Sequence, residues 1–223
     1  MADFPLIKEI VDLSVPMKSQ DTPIYPGYPQ PLKTNFSTIR DDGYLSNVWS
    51  FVEHSATHVD APAHFAEGGS PVEKMPLGHY VGQGLVLDFT DKPKRYAIGR
   101  RDIEEGLQVA GLRAGSGEGY ILLIHTGYTE KSRTPDWFEH PDLTKEACEF
   151  IVSKKFGGVG FDAPGPDHAP FDAHKALLPN EVVIFENLNN LDRVKDKKFL
   201  FVGTPLALVG GSASPCRAVA LVL

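Results

Sequence analysis

Three histidines and one aspartate lie close together in residues 54–64, which read HSATHVDAPAH: His54, His58, Asp60 and His64. The chain of 223 residues has only eight histidines, so this density is unusual. Imidazole and carboxylate groups suit zinc, manganese and iron, whereas structural zinc sites and iron–sulfur clusters usually recruit cysteine, which this segment lacks. The pattern predicts a catalytic metal site.

The segment cannot be a straight strand. All four side chains have even numbers, so an extended chain would present them on one face. It would also place His54 roughly 33 Å from His64, whereas ligands to one ion converge on bonds of roughly 2 Å. The chain must therefore bend, and Pro62 favours a break. A helical turn carrying His54 and His58 on one face is an alternative that the spacing leaves open.

Metal sites usually draw a ligand from elsewhere in the chain, and two residues at element ends qualify. His174 follows Asp172 at a predicted helix start, and Glu186 follows the apolar strand 182–185, where an unpaired buried carboxylate would be costly. The alternative for Glu186 is a strand end that faces water. The other histidines are single residues that we expect to be ordinary core or surface side chains: His79, His125, His140 and His168.

The elements that must position these residues are mostly strands. Runs rich in β-branched and aromatic residues are separated by Gly, Pro and Asp, which is typical of strands. These runs cover residues 7–13, 48–52, 85–89, 121–124, 159–161, 182–185, 199–202 and 219–223.

Helices are fewer than strands. The clearest helix begins after Thr144, a good N-cap, and ends at Gly157. Two shorter helices are predicted at 103–109, behind Asp102, and at 173–178. Several strands follow one another without a helix, which favours a mixed sheet over a regular βαβ array. The expected fold class is α/β, with mixed sheets and a few packed helices in a single domain spanning residues 1–223.

Composition excludes several classes of partner. The formal charge of −7 comes without a basic block, so we expect no nucleic-acid partner. The longest apolar stretches are shorter than the roughly 20 residues that span a bilayer, so we expect no membrane partner. Two cysteines cannot build a disulfide framework, and the first residues lack the order of a signal peptide. We therefore expect a cytoplasmic location.

The histidine-rich segment resembles the signature of the metal-dependent cyclase/kynurenine formamidase family, whose pattern is His-x-Gly-Thr-His-x-Asp-x-Pro-x-His. The sequences DLS at 12–14 and PIYPG at 23–27 resemble the family's N-terminal region, and DAH at 172–174 with FENL at 185–188 resembles its distal ligand pair. The C-terminal sequences PL at 205–206 and SPCRAV at 214–219 also match.

Two residues depart from the family pattern. Ala56 replaces a glycine, and alanine would resist a positive φ there. Gly165 stands where relatives often carry serine, so a polar contact near the site would be missing. Neither change removes a ligand.

The resemblance implies a swivelling β/β/α fold that holds divalent metal, Zn²⁺ or Mn²⁺, with two ions per subunit expected. Asp60 would bridge the ions, and His64 beside them would be the catalytic residue that moves protons. The implied metal ligands are His54, His58, Asp60, His174 and Glu186.

The resemblance also implies an activity: hydrolysis of a small amide, lactam or lactone by metal-activated water. Arylformamides such as N-formylkynurenine are the best-known substrates of the family. Relatives form dimers or tetramers, so we expect a homodimer or homotetramer. Tyr25, Trp49 and Phe65 are candidate aromatic residues of the substrate pocket.

Two other functions fit part of the pattern. A non-haem iron oxygenase would use His58, Asp60 and His174 as its two-histidine, one-carboxylate triad, which leaves the remaining site residues unused. A non-catalytic metal-binding protein would close the cluster around a structural ion, although structural zinc usually recruits cysteine.

Overall fold

A computed structural model describes residues 6–112 and 116–223 of the chain. The described helices are α1 (Ile39–Asp42), α2 (Arg100–Val109), α3 (Lys145–Ser153) and α4 (Asp172–Leu177). The described strands are β1 (Glu9–Asp12), β2 (Leu32–Ser37), β3 (Ser46–Ser50), β4 (His58–Asp60), β5 (Val81–Asp88), β6 (Ala97–Ile98), β7 (Tyr120–His125), β8 (Asp142–Leu143), β9 (Gly158–Phe161), β10 (Val183–Glu186), β11 (Phe199–Val202), β12 (Ala213–Pro215) and β13 (Val219–Val222).

One large mixed sheet organises the molecule, in the order β1-β13-β11-β5-β7-β9-β10-β4-β12. Strands β5, β7, β9 and β10 are parallel, and the strands on either side of them pair antiparallel. The expected α/β class with a mixed sheet is confirmed. In the middle of the sheet, however, successive parallel strands are connected by α2, α3 and α4, which makes a run of βαβ units. These helices are only 6 to 10 residues long, so the periodicity of the sequence indicates them weakly.

Both faces of the parallel strands are buried. Leu122 and Ile124 of β7 pack into the apolar cluster that contains α2, α3 and α4, whereas Ile121 and Leu123 pack into the cluster on the opposite face. A strand buried on both sides reads as a continuous apolar run, which is why β7 was visible in the sequence. Packing on both faces therefore fixes the position of the carboxyl end of β7 and of the parallel strands beside it.

Helix starts show where the sequence-based boundaries were right and where they were wrong. Thr144 caps α3 as predicted, and its Oγ1 accepts a hydrogen bond from the Ala147 N–H at 3.2 Å. Helix α2 begins at Arg100 rather than at 103, because Asp102 lies in its first turn and accepts from the Gly99 N–H at 2.8 Å. Helix α4 begins at Asp172 itself.

Strands β2 and β3 form a separate two-stranded ribbon, and β6 pairs with β8. The sequence predicted a strand at 48–52, but β3 covers Ser46–Ser50, and β2 was not predicted. Among the described residues, no helix is long and apolar enough to cross a membrane. Residues 1–5, part of the segment on which the signal-peptide expectation depends, lie outside the described residues.

Candidate metal centre

Strand register places two of the predicted ligands side by side. Strand β4 lies between β10 and β12, and His58 pairs directly with Glu186 of β10. Alternate residues of a strand share a face, so Asp60 projects on the same side as His58. A one-residue slip would turn both side chains to the other face of the sheet. The register of β4 therefore determines whether the site exists.

A left-handed residue orients the ring of His58. Ala56 has φ of 55°, so alanine adopts the positive φ that we expected it to resist. The Ala56 carbonyl accepts hydrogen bonds from His58 Nδ1 at 2.9 Å and from Asn187 Nδ2 at 3.0 Å. With Nδ1 as the donor, His58 Nε2 carries the lone pair and can act as a ligand.

The segment from His54 to His64 bends, as we expected from the distance that a straight strand would place between these two residues. Residues 54–57 form a turn before β4, so the helical alternative for His54 and His58 is wrong. After Asp60, a short 3₁₀ turn at Pro62–His64 brings the chain back. The ring centroids of His54 and His64 are consequently only 4.1 Å apart.

Helix α4 supplies His174, and a nearby carboxylate fixes its ring. Asp167 Oδ1 accepts from His174 Nδ1 at 2.6 Å, and Asp167 Oδ2 accepts from the backbone N–H groups of Ala173 and His174. This arrangement leaves His174 Nε2 free to bind an ion, as in many metal sites. Sequence reasoning missed Asp167 because its seven-residue separation from His174 matches no helical or strand period.

The nitrogen and oxygen atoms of the predicted ligands converge at distances that suit metal coordination. Two ligands bound to one ion at tetrahedral angles lie roughly 3.3–3.6 Å apart. His58 Nε2 lies 3.4 Å from both Asp60 Oδ1 and Glu186 Oε2, and His174 Nε2 lies 3.3 Å from Glu186 Oε1 and 3.8 Å from Asp60 Oδ2. His54 Nδ1 lies 2.8 Å from Asp60 Oδ1, which is closer than this range. We call His54, His58, Asp60, His174 and Glu186 the donor cluster.

Several atoms of the donor cluster are buried without a hydrogen-bond partner. Within the described part of the chain, neither Asp60 oxygen nor His58 Nε2 takes part in a hydrogen bond of acceptable geometry, the short contact between His54 and Asp60 included, although Asp60 is only 1% exposed. Burying such groups unsatisfied is costly, so the arrangement is stable only if something else binds them. A divalent cation fits that requirement, because it would bind these lone pairs and neutralise the carboxylates.

The pKa values of the donor cluster also favour a bound cation. Burial lowers the pKa of His174, but hydrogen bonds and charge from Asp167 and Glu186 outweigh it and raise the pKa to about 10. Burial also lowers the pKa of His58, but Asp60 and Glu186 raise it to about 9. The pKa of Asp60 lies well below its usual value, because its histidine neighbours outweigh the effect of burial. The cluster therefore favours positive charge.

His64 differs from the donor cluster. Burial lowers the pKa of His64 to about 4, and the nearby Asp60 carboxylate only partly opposes this effect. Its imidazole is therefore neutral at pH 7 and can accept a proton. Its ring centroid lies 6.0 Å from that of His174 and 4.7 Å from that of Phe65. His64 thus borders the cluster without the close carboxylate contacts of His58 and His174.

An open cavity of about 200 Å³ gives access to the donor cluster. Tyr25 and Phe65 line it as expected, whereas Trp49 lies on the exposed β2–β3 ribbon instead. Within the described residues, no lysine or arginine lines the cavity. Its aromatic wall includes three residues that sequence reasoning missed: Tyr28, Trp137 and Phe171.

Gly165 also borders the donor cluster. Its φ of +145° is a conformation that other residues rarely adopt, and an added Cβ would lie 3.2 Å from Glu186 Oε1. The backbone here therefore favours glycine, and the close approach gives Gly165 a packing role beside a predicted ligand.

The single histidines have local partners. His79 Nδ1 contacts the Gly157 carbonyl at 3.0 Å, and His140 Nδ1 contacts the Pro141 carbonyl at 3.0 Å. His168 Nε2 contacts the Phe138 carbonyl at 2.7 Å. His125 is the least satisfied, because its buried Nδ1 has no hydrogen-bond partner among the described residues.

Comparisons with known proteins agree with this architecture. A family model described as "Putative cyclase" matches residues 11–168. A kynurenine formamidase from Bacillus thuringiensis subsp. konkukian (strain 97-27) is 28% identical over 218 residues, covering 95% of this chain and 96% of that protein.

Solved structures share the fold. An isatin hydrolase bound to the product analogue thioisatinate superposes with a TM-score of 0.85 at 23% identity, covering 96% of this chain and 92% of the other. A potential metal-dependent hydrolase with cyclase activity gives a TM-score of 0.75 at 28% identity, covering 95% and 96%.

Proposed function

Because the chain belongs to the putative cyclase family, we propose that it is a metal-dependent hydrolase that cleaves a C–N bond in a small aromatic amide. Arylformamides of the N-formylkynurenine type are the favoured substrates, and lactams and lactones are related ones. The full-length similarity to a kynurenine formamidase supports this choice. The observation that carries the proposal is the convergence of five donor residues, four of them buried and His54 partly buried, on one open cavity.

We propose that the donor cluster holds divalent metal, Zn²⁺ or Mn²⁺, as two ions per subunit. Asp60 supports the two-ion arrangement, because its two oxygens face different partners: Oδ1 faces His54 and His58, and Oδ2 faces His174. When bound, a divalent ion polarises a carbonyl oxygen and lowers the pKa of water that it binds towards about 7. Glu186 contacts both His58 and His174, so it would join the two halves of the site.

His64 is proposed as the proton carrier of the reaction. A neutral imidazole can accept the proton of the attacking water and donate it to the leaving nitrogen. The low pKa of His64 keeps it in the accepting form across the neutral range. It would contribute roughly 10² to 10⁴-fold to the rate, as general acid–base residues typically do.

The cavity wall supports a flat aromatic substrate. Phe65 stacks on His174 at a centroid distance of 4.7 Å, and Tyr25 packs edge-on against Phe138 at 5.9 Å. Offset and edge-to-face contacts of this kind are favourable for aromatic rings. Tyr28 and Phe171 also line the cavity, with ring centroids 6.2 Å from that of His54 and 5.8 Å from that of His174, respectively.

The oxygenase alternative is less favoured. It needs His58, Asp60 and His174 only, yet Glu186 lies within 3.4 Å of both histidines and would fill positions that oxygen must occupy. A closed structural site is disfavoured because the donor cluster opens onto the cavity.

The proposal is tested by measuring metal content together with hydrolysis of a panel of arylformamides, cyclic imides and lactones. We expect bound divalent metal and turnover of at least one arylformamide. His64→Ala should retain much of its metal but lose roughly 100-fold or more in turnover, whereas His58→Ala should lose metal and activity together. Oxygen-dependent turnover with ferrous iron and no hydrolysis would overturn the proposal. Full activity in His64→Ala would remove His64 from the mechanism.

We further propose that the protein works in the cytoplasm as a homodimer or homotetramer. Both cysteines, Cys148 and Cys216, are free thiols, which supports a reducing compartment. Its partner in the reaction is a small molecule, and the charge of −7 without a basic block disfavours nucleic acid. Treating residues 1–223 as one domain agrees with a large sheet that takes strands from β1 to β13.

A further inference from the structure

One buried hydrogen-bond donor in the cavity wall has no partner. Trp137 is only 3% exposed and lines the cavity that opens onto the donor cluster, and its Nε1–H group makes no hydrogen bond among the described residues. Buried indole N–H groups usually find an acceptor, and leaving one unpaired is costly. A phenylalanine at this position could supply an aromatic wall without that cost. The unpaired N–H therefore indicates a partner outside the chain, supplied through the cavity.

Apart from the histidines, the other hydrogen-bond donors of the described cavity wall are already used or reach water. Asn187 Nδ2 donates to the Ala56 carbonyl at 3.0 Å. Tyr25 and Tyr28 carry hydroxyl groups, but these residues are 44% and 36% exposed, so solvent can satisfy them. The carboxylate side chains of the wall only accept hydrogen bonds. Trp137 is thus the buried donor that a ligand in the cavity can use.

The chemistry of the indole N–H favours a neutral acceptor. Carboxylates are usually recognised by lysine or arginine, which form charge-assisted hydrogen bonds, and neither residue lines the cavity within the described residues. The indole of Trp137 carries no charge and offers one N–H, which only donates. A single uncharged donor matches one carbonyl oxygen of a ketone or an amide.

Ring contacts put Trp137 on the Tyr25 side of the cavity. The ring centroid of Trp137 lies 5.0 Å from that of Phe138, which in turn lies 5.9 Å from that of Tyr25. Phe65, by contrast, stacks on His174 of the donor cluster at 4.7 Å. The carbonyl group that is cleaved has to lie beside the donor cluster. The acceptor that Trp137 meets is therefore a second group of the substrate.

We propose that Trp137 determines specificity, because its Nε1–H group binds a neutral carbonyl oxygen carried on the aromatic ring of the substrate. The inference rests on the proposed function, since it assumes that the cavity holds an aryl amide. It narrows the substrate class to aromatic amides and lactams that carry a second carbonyl group outside the bond that is cleaved. An aryl amide without that group leaves the indole N–H unsatisfied, and polar sites reject analogues through losses of this kind.

The first test detects the hydrogen bond in wild-type protein. Acetophenone and α-methylstyrene have nearly the same shape, but the alkene has a CH₂ group in place of the carbonyl oxygen. The chain has two tryptophans, so a ¹H–¹⁵N spectrum of protein dialysed against Zn²⁺ contains two indole N–H signals, and Trp49→Phe identifies the signal of Trp137. We expect acetophenone to move the Trp137 proton signal downfield and α-methylstyrene to cause no such shift. Equal responses, or no response to either ligand, would overturn the proposal.

The second test removes the donor and keeps an aromatic ring. Trp137→Phe should weaken the binding of acetophenone by roughly 5- to 150-fold, the cost of leaving a buried polar group unpaired, and should leave the binding of α-methylstyrene nearly unchanged. Trp49→Phe is the matched control, because Trp49 lies on the exposed β2–β3 ribbon, and it should affect neither ligand. Equal losses for both ligands in Trp137→Phe would mean that the indole acts only by packing, which contradicts the proposal.

Turnover of matched substrates separates this proposal from the proposed function. Formanilide is compared with its isomeric derivatives that carry an acetyl group ortho, meta or para to the formamide. We expect wild-type protein to have a higher kcat/KM for at least one acetyl isomer than for formanilide, and Trp137→Phe to reduce this preference by roughly 5- to 150-fold. A preference that survives unchanged in Trp137→Phe overturns the proposal alone. Wild-type protein that hydrolyses no arylformamide overturns the proposed function, whereas the binding of acetophenone still reports on Trp137.

Discussion

Asp167 offers a sharp test of how the site is built. It has two carboxylate oxygens and accepts three hydrogen bonds, from His174 Nδ1 and from the N–H groups of Ala173 and His174. In Asp167→Asn one oxygen becomes an NH₂ donor. If the amide oxygen keeps the backbone N–H groups, the NH₂ faces His174 Nδ1 and forces the proton to Nε2, the atom that faces Asp60 and Glu186.

The size of the effect follows from the loss of one oriented ligand. Substitutions of residues that orient a metal ligand typically cost 10–100-fold in metal affinity, or about 1.4–2.7 kcal/mol. We expect Asp167→Asn to weaken binding of the ion contacted by His174 by this factor. A competition titration of the metal-free protein with Zn²⁺ and a chromogenic chelator measures it directly. Asp172→Asn, which changes an exposed carboxylate on the same helix, is the matched control.

Thermal unfolding of the metal-free variants separates orientation from folding. Asp167→Asn should still unfold cooperatively, with most of its deficit in metal affinity. Equal chelator competition curves for wild type, Asp167→Asn and Asp172→Asn would refute the reasoning, because His174 would then not need Asp167 to present Nε2.

Substitutions at three further positions test the local backbone and the pH response. Gly165→Ala should destabilise the protein by about 1–3 kcal/mol and weaken metal binding, since its Cβ would crowd Glu186 Oε1 at 3.2 Å; unchanged chelator competition would contradict this. Ala56→Gly should have the same free energy of unfolding as wild type. Ala56→Val should lose about 2 kcal/mol of it, measured by urea unfolding, because a β-branched residue resists a φ of 55°. Equal stability of the two variants would contradict this expectation. Burial lowers the pKa of His140 to about 4. Between pH 6.5 and 4 the unfolded chain therefore binds more protons than the folded chain, and the free energy of unfolding decreases as the pH is lowered. His140→Gln should therefore lose about 2 kcal/mol less than wild type between pH 7.5 and 5, and parallel pH profiles of unfolding would contradict the assignment.

The donor cluster was predictable because its chemistry is concentrated in sequence. His54, His58 and Asp60 are close neighbours, and His174 and Glu186 come at the ends of elements that the apolar pattern reveals. Their roles as ligands stay predictions, but the structure brings all five together.

The supporting residues could not be found in the same way. Asn187 binds the Ala56 carbonyl across 131 residues of sequence, and no local period encodes such a contact. The conformation of Ala56 was misjudged for a related reason. Alanine alone resists a positive φ, but the hydrogen bonds that its carbonyl accepts from His58 and Asn187 offset that cost.

Strand β4 was ambiguous because it is three residues long. A segment this short has no reliable period of its own, and its conformation comes from pairing with β10 and β12. The β2–β3 hairpin was only half visible, because the sequence LKTNFS at 32–37 alternates weakly and follows a proline-rich loop.

The position of β4 between two late strands also has a consequence for biosynthesis. Both of its hydrogen-bonding neighbours, β10 and β12, lie more than 120 residues further along the chain. At about 5–20 residues per second, a ribosome needs roughly 8–30 s to go from β4 to β12. During that interval the nascent chain exposes a histidine-bearing strand with both edges unpaired, which is a target for chaperones and for premature metal capture. The full set of five predicted ligands exists only after translation has passed Glu186, and the second edge of β4 is covered only after translation has passed residue 215.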